Sequence, residues 1–137
     1  MSRSYSKAKG RREQGSFLAL PFSVLEHENF ATLPAWSTKL LLDLCTQLRF
    51  QKGGTATNGD LSASWSMMRK RGWRSKGTLY AAIRDLKDRG FIIVSRQGGR
   101  HKASLYAVTW LAVDECKGKL DIKPTKSAPG LWRQEGN

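Results

Sequence analysis

The stretch SWSMMRKRGWRSKGTLYAAIRDLKDRG, residues 64–90, carries two helix signals separated by a tight break. Ser64 stands where an N-cap belongs, ahead of a short helix predicted from Trp65 to Arg71, and Gly72 follows as a helix-ending glycine. Three cations, Arg69, Lys70 and Arg71, fall in its last turn, where they complement the helix dipole. Trp73-Arg74 then leads to Ser75, a second N-cap candidate. From there Leu79, Ala82, Ile83 and Leu86 recur at i, i+3, i+4 and i+7, one apolar stripe of an amphipathic helix that ends at Arg89-Gly90.

Working outward on the C-terminal side, FIIVSR at residues 91–96 is a run of strand formers. Gln97-Gly98-Gly99-Arg100 is a turn signal, and Ser104 to Leu111 is a second strand run containing Tyr106, Val108 and Trp110. On the N-terminal side, Trp36, Leu40, Leu41, Leu44 and Leu48 recur at helical spacing from a start near Pro34. Phe17–Phe22 reads as an extended entry, followed by a short helix through Val24 and Leu25. Gln51-Lys52-Gly53-Gly54-Thr55 breaks the long helix, and residues 55–58 are a candidate short strand. The order is helix, short helix, tight turn, longer helix, hairpin. This predicts a mainly α fold with a small β-hairpin (α+β), a helix-turn-helix followed by a wing.

Composition sets the class of partner. Twenty-four Lys and Arg stand against eleven Asp and Glu in 137 residues, a formal net charge of +13. A domain of this size needs far less charge than that to stay dispersed, so the excess points to a polyanionic partner. Residues 1–16, with Arg3, Lys7, Lys9, Arg11 and Arg12 against Glu13 alone, read as a disordered basic arm. The folded domain is expected over 17–113, and 114–137, with Pro124 and Pro129 and several glycines, reads as a flexible C-terminal tail. No apolar run approaches the ~18 residues of a membrane span. The basic N-terminus lacks the apolar region of a secretory signal, so the expected setting is the cytoplasm, in a bacterium, with the nucleoid if DNA is the partner. Cys45 and Cys116 lack a CxxC partner and are expected to be reduced thiols.

A helix in the DNA major groove needs one face anchored to a core and the other bare. With the stripe at 79–86 anchored, the second helix presents Ser75, Lys76, Thr78, Tyr80, Arg84 and Lys87. Arg84 is the candidate for bidentate contact with guanine, and Tyr80 and Thr78 for base or phosphate contacts. Ser75 and the first free amides of the helix suit a phosphate. Arg69, Lys70, Arg71 and Arg74 form a cation-only approach to it, suited to the backbone. The hairpin carries Arg96, Arg100, His101 and Lys102 for the backbone or the minor groove. Trp65 and Trp73 read as core and turn packing. His27, in Glu26-His27-Glu28, reads as a solvated helix surface. Two His and two Cys scattered along the chain have no zinc-site spacing, and the segment 72–78 lacks the Gly-Lys-Ser/Thr of a phosphate loop. No nucleophile–base pair stands out. The expectation is a non-enzyme with no metal or cofactor.

Several blocks resemble winged-helix proteins of phages, plasmids and integrated elements. They are Asn58-Gly59-Asp60-Leu61-Ser62, Ser66 to Trp73, Thr78 to Leu86, Gly90-Phe91-Ile92, Arg96 to His101 and Leu105 to Trp110, and the likeness covers about residues 17–112. The resemblance implies a winged-helix fold and a role in transcription or replication control, since regulators and replication initiators share the pattern. Duplex DNA is the implied partner, with no membrane. A homodimer through helix 34–48 or the tails, and a protein partner through the tails, stay open. Two alternatives remain at this point: a protein-interaction or inhibitor module on the same scaffold, for which an exposed Trp132 would speak, and RNA binding through the same cations.

Overall fold

The computed structural model describes residues 13–50 and 57–134. Pro21 and Pro34 each precede a helix, as a residue with φ fixed near the helical value can. Two single-turn helices, α1 (Phe22–Leu25) and α2 (Glu28–Ala31), lead into α3 (Ala35–Cys45). A two-residue strand β1 (Leu61–Ser62), then α4 (Trp65–Lys70), α5 (Lys76–Asp88), β2 (Ile92–Arg96) and β3 (Leu105–Val108) complete the main architecture. Short 3₁₀ turns follow at Cys116–Gly118 and Leu131–Arg133. Among the described residues this is a small α+β fold of five α-helices and one three-stranded antiparallel sheet in the order β1-β3-β2.

The core forms where α3 and α5 pack together over the sheet. Leu40, Leu41 and Leu44 of α3 meet Leu79, Ala82 and Leu86 of α5, with Phe91 just before β2, Ile92 of β2, Val108 of β3 and Leu61 of β1, all buried. Trp36, expected on the apolar stripe of α3, is 49% exposed and leans on the Trp73 ring at 5.1 Å between centroids. Trp73 is the ring that takes the interior position, at 1% exposure.

Both helices of the central stretch end in the same way. Gly72 and Gly90 adopt φ of +96° and +81°. The amides after α4 run Gly72 N to Arg69 O and Trp73 N to Met68 O, and those after α5 run Gly90 N to Lys87 O and Phe91 N to Leu86 O. These paired bonds satisfy carbonyls that the helix itself cannot, and the left-handed residue between them favours glycine. At the front of α5 the Ser75 hydroxyl accepts from Thr78 N at 3.2 Å. Ser64 occupies the N-cap position of α4 without that bond, its hydroxyl lying 3.4 Å from that of Ser66.

Further expectations change. Of the candidate strand at 55–58, residues 55 and 56 lie outside the described residues, and the strand itself is Leu61–Ser62. Asn58 is fully buried instead: its amide nitrogen donates to Val108 O at 2.8 Å and its Oδ1 accepts from Val108 N at 2.9 Å, tying the approach to β1 onto the end of β3. His27 caps α2, accepting from Asn29 N at Nδ1, and sets its ring edge-on to Trp132 at 5.4 Å.

The largest change concerns the segment after Val113. It does not extend away as a tail through residue 134. Asp121 N donates to Ser95 O at 2.8 Å, Gly130 N to Thr109 O at 2.7 Å, and Gln134 Nε2 to Asp88 O at 2.8 Å. Trp132 is 3% exposed and belongs to the main core. Burial of Trp132 and Cys116 and the hydrogen bonds to Ser95, Thr109 and Asp88 act together against the entropy of ordering this segment. The basic arm falls mainly outside the described residues, which begin at Glu13. No described helix is long and apolar enough to cross a membrane.

Candidate nucleic-acid interface

The turn between α4 and α5 is fastened by an acid in the middle of a leucine run. Asp43, within the sequence Leu41-Leu42-Asp43-Leu44, is 3% exposed. Its Oδ2 accepts from Trp73 Nε1 at 2.8 Å and Lys39 Nζ at 2.9 Å, and its Oδ1 from Arg71 Nε and Nη2 at 3.1 and 3.0 Å. Burial alone pushes this carboxyl up, but the bonds from Trp73, Lys39 and Arg71 outweigh it and hold the group below its ordinary value. Lys39 also donates to Arg71 O. The turn from Arg71 to Trp73 is thereby pinned to α3, and with it the start of α5. Sequence reasoning missed Asp43; the signal was an acid at an interior position of an otherwise apolar helix stripe.

This network corrects the picture of a cation-only approach at residues 69–76. It holds along the chain, but in space Asp43 lies against Arg71 and takes two of its N–H groups. Arg69, Lys70 and Arg74 are exposed and join no ion pair among the described residues.

Along α5 the separation of faces is clean. Leu79 and Leu86 are fully buried, Ala82 nearly so, and Ile83 is half-buried against the core. Lys76, Tyr80, Arg84 and Lys87 are exposed on the outer side, with Ala81 beside them, while Thr78 is half-buried. Asp85 turns inward, accepting from Ser37 Oγ at 2.7 Å and Arg89 Nε at 3.0 Å. Lys76, Arg84 and Lys87 have no ion-pair partner among the described residues, and Asp88 is the exposed acid at the far end of the helix.

The hairpin between β2 and β3 is tightened at its tip by the Gly99–Lys102 bridge, with Gly99 N donating to Lys102 O at 2.9 Å. A Cβ at Gly98 would lie 2.4 Å from Ser104 N, so the two arms close only over a glycine there. Arg100, His101 and Lys102 are exposed. Arg96 is not presented with them: it is half-buried, and its Nη2 donates back to Ala103 O at 2.9 Å. Between the hairpin, α5 and the start of α4 lies an open cleft of about 430 Å³. Trp65, Tyr80, Ile83 and Tyr106 contribute rings and an apolar wall, and Lys102 and Ser104 line the opposite side. Burial pushes the Tyr106 phenol up, with the Ser104 hydroxyl partly opposing it, so the phenol is protonated at neutral pH.

No protein-family model, curated protein or solved structure matches this chain.

The geometry therefore carries the functional reading. It brings the exposed cations of α5, the 69–74 segment and the hairpin tip together around one turn-linked helix pair, and leaves Arg71 and Arg96 largely occupied within the fold. Cys45 and Cys116 are free and buried, and burial is the first cause that pushes each thiol up to about 12, so both are protonated at neutral pH. No group of three or more His, Cys, Asp or Glu among the described residues could hold a metal ion.

Proposed function

We propose that this chain is a winged-helix protein that binds duplex DNA, laying the outer face of α5 in the major groove and the hairpin along the flanking backbone or minor groove, in transcription or replication control on a mobile element. The element order α3-β1-α4-α5-β2-β3 and the β1-β3-β2 sheet support the winged-helix part of this reading. The control role and the mobile element come from the sequence resemblance alone.

One observation carries the DNA part. Asp43 and Asp85 both bond partners within the fold, so along α5 Lys76, Arg84 and Lys87 face outward with no ion pair among the described residues, and Asp88 at the C-terminal end is the one exposed acid of the helix. A solvated helix face ordinarily mixes signs, whereas a face that meets phosphates does better without acids. Of the aromatics that would favour a protein-binding module, Trp132 is buried in the core, while Phe22 and Trp36 are exposed.

Selection of bound duplexes from a random pool at two salt concentrations tests the proposal. With ~6 phosphates neutralised, the logarithm of affinity should fall with the logarithm of salt at a slope of about −5. Arg84→Ala should relax base preference at one position, costing about 1–3 kcal/mol, while Arg100→Ala should weaken all sequences alike. If Arg84→Ala leaves both affinity and preference unchanged, α5 does not read the groove.

A further inference from the structure

The cleft beside α5 differs in chemistry from the cationic surface around it. A phosphate site gathers several cations or free backbone N–H groups. Here Lys102 is the lone cation of the lining, and the amides of Gly98 and Gly99 already have acceptors: Gly98 N donates to the Ser104 hydroxyl at 2.9 Å and Gly99 N to Lys102 O. What the cleft does offer is aromatic surface. Tyr80 is 52% exposed, Tyr106 shows only its margin at 8%, and Trp65 is half-buried. Its volume of about 430 Å³ lies in the range of small-ligand sites and has room for one base with its sugar.

We infer that this cleft receives a single unpaired nucleobase, so that the protein prefers a duplex carrying an unpaired nucleotide to a continuous one. The inference rests on the duplex-DNA reading above. With α5 in the major groove and the hairpin toward the minor groove, the strand that separates the grooves runs past the cleft, and its bases are the flat groups nearest to it. Extracting a paired base costs more than stacking on one aromatic surface returns, whereas an unpaired base has little stacking to lose. The Ser64 hydroxyl in the lining can donate or accept, so it serves any base edge, and the preference is for an unpaired base rather than for one base type. Lys102, the cation of the lining, is placed for a flanking phosphate.

The test uses the full chain and two synthetic duplexes of one sequence, one continuous and one with a single unpaired thymine. The wild-type protein should bind the second about tenfold more tightly, and binding should shield the thymine from permanganate, which attacks the exposed face of an unpaired ring. Ala103→Phe places a ring in the cleft from an exposed position. It should bring the two affinities together and leave the thymine reactive, with binding to the continuous duplex unchanged. Equal wild-type affinities, or a thymine that stays reactive in the wild-type complex, would overturn the cleft inference and leave duplex binding standing. A preference that survives Ala103→Phe with the thymine still shielded would also overturn it, by placing the base elsewhere. Binding to neither duplex would overturn the duplex reading and this inference together.

Discussion

Replacing Asp43 by alanine removes the acceptor that fastens the turn before α5. Trp73, 1% exposed, keeps its indole N–H in the interior with its 2.8 Å partner gone. A buried donor left without an acceptor costs about 1–3 kcal/mol. The two cations add less, because the side chains of Arg71 and Lys39 are 51% and 35% exposed and solvent screens their attraction to the carboxylate. Each contributes about 0–1 kcal/mol on that ground. The expected loss for Asp43→Ala is therefore about 1–5 kcal/mol, a large part of a small domain's stability. Asp43→Asn keeps the shape and one acceptor oxygen, and should lose about half as much. The sign with pH follows from the lowered folded-state value. The unfolded carboxyl titrates near 3.8 and the folded one below it, so the stabilisation is complete above that pH and disappears as pH falls through the lower folded value. Urea unfolding followed by circular dichroism, at neutral pH and down the acid range, reads both quantities. An Asp43→Ala protein within about 0.5 kcal/mol of wild type at neutral pH, or a gap that closes well above pH 3.8, would refute the reasoning.

Two further perturbations separate causes that look alike in the sequence. Gly72 and Gly90 both hold left-handed φ, but a Cβ at Gly72 meets nothing within 4 Å while one at Gly90 would lie 2.3 Å from Leu131 O. Gly72→Ala should cost about 1–2 kcal/mol from the backbone alone. Gly90→Ala should cost clearly more and displace the C-terminal 3₁₀ turn, and thermal unfolding of the two variants side by side gives the comparison. Trp132→Ala should cost about 3–5 kcal/mol, read by the same unfolding experiment; a variant as stable as wild type would show that Trp132 contributes no packing energy.

How much was legible in the sequence depended on how local the governing interactions are. The helix α5 could be read because its stripe at Leu79, Ala82, Ile83 and Leu86 is bounded by Ser75 and Gly90, and every one of those signals acts within a few residues. The hairpin was legible for the same reason, from the strand formers at 91–96 and the glycines at 98 and 99. Strand β1 was misplaced because two residues hold no period, and the segment is held through Asn58, whose partner Val108 is distant in sequence. The C-terminal segment looked like a tail because its composition is polar, while the groups that bury Trp132, such as His27, lie at the other end of the chain. Within the candidate interface, the outward set on α5 followed from periodicity. The bonds that engage Arg71 and Arg96 within the fold did not, since their acceptors, Asp43 and Ala103 O, are set by tertiary packing and by closure of the hairpin.

The central claim, that α5 reads duplex DNA from the major groove, is tested most directly by methylation footprinting on a selected duplex. Guanine N7 is exposed in the major groove and is the atom that dimethyl sulfate attacks. The account expects the bound protein to protect one guanine N7 in the site, and Arg84→Ala to abolish that protection while binding at higher protein concentration persists. A bound complex in which every guanine N7 stays as reactive as in free DNA would contradict it.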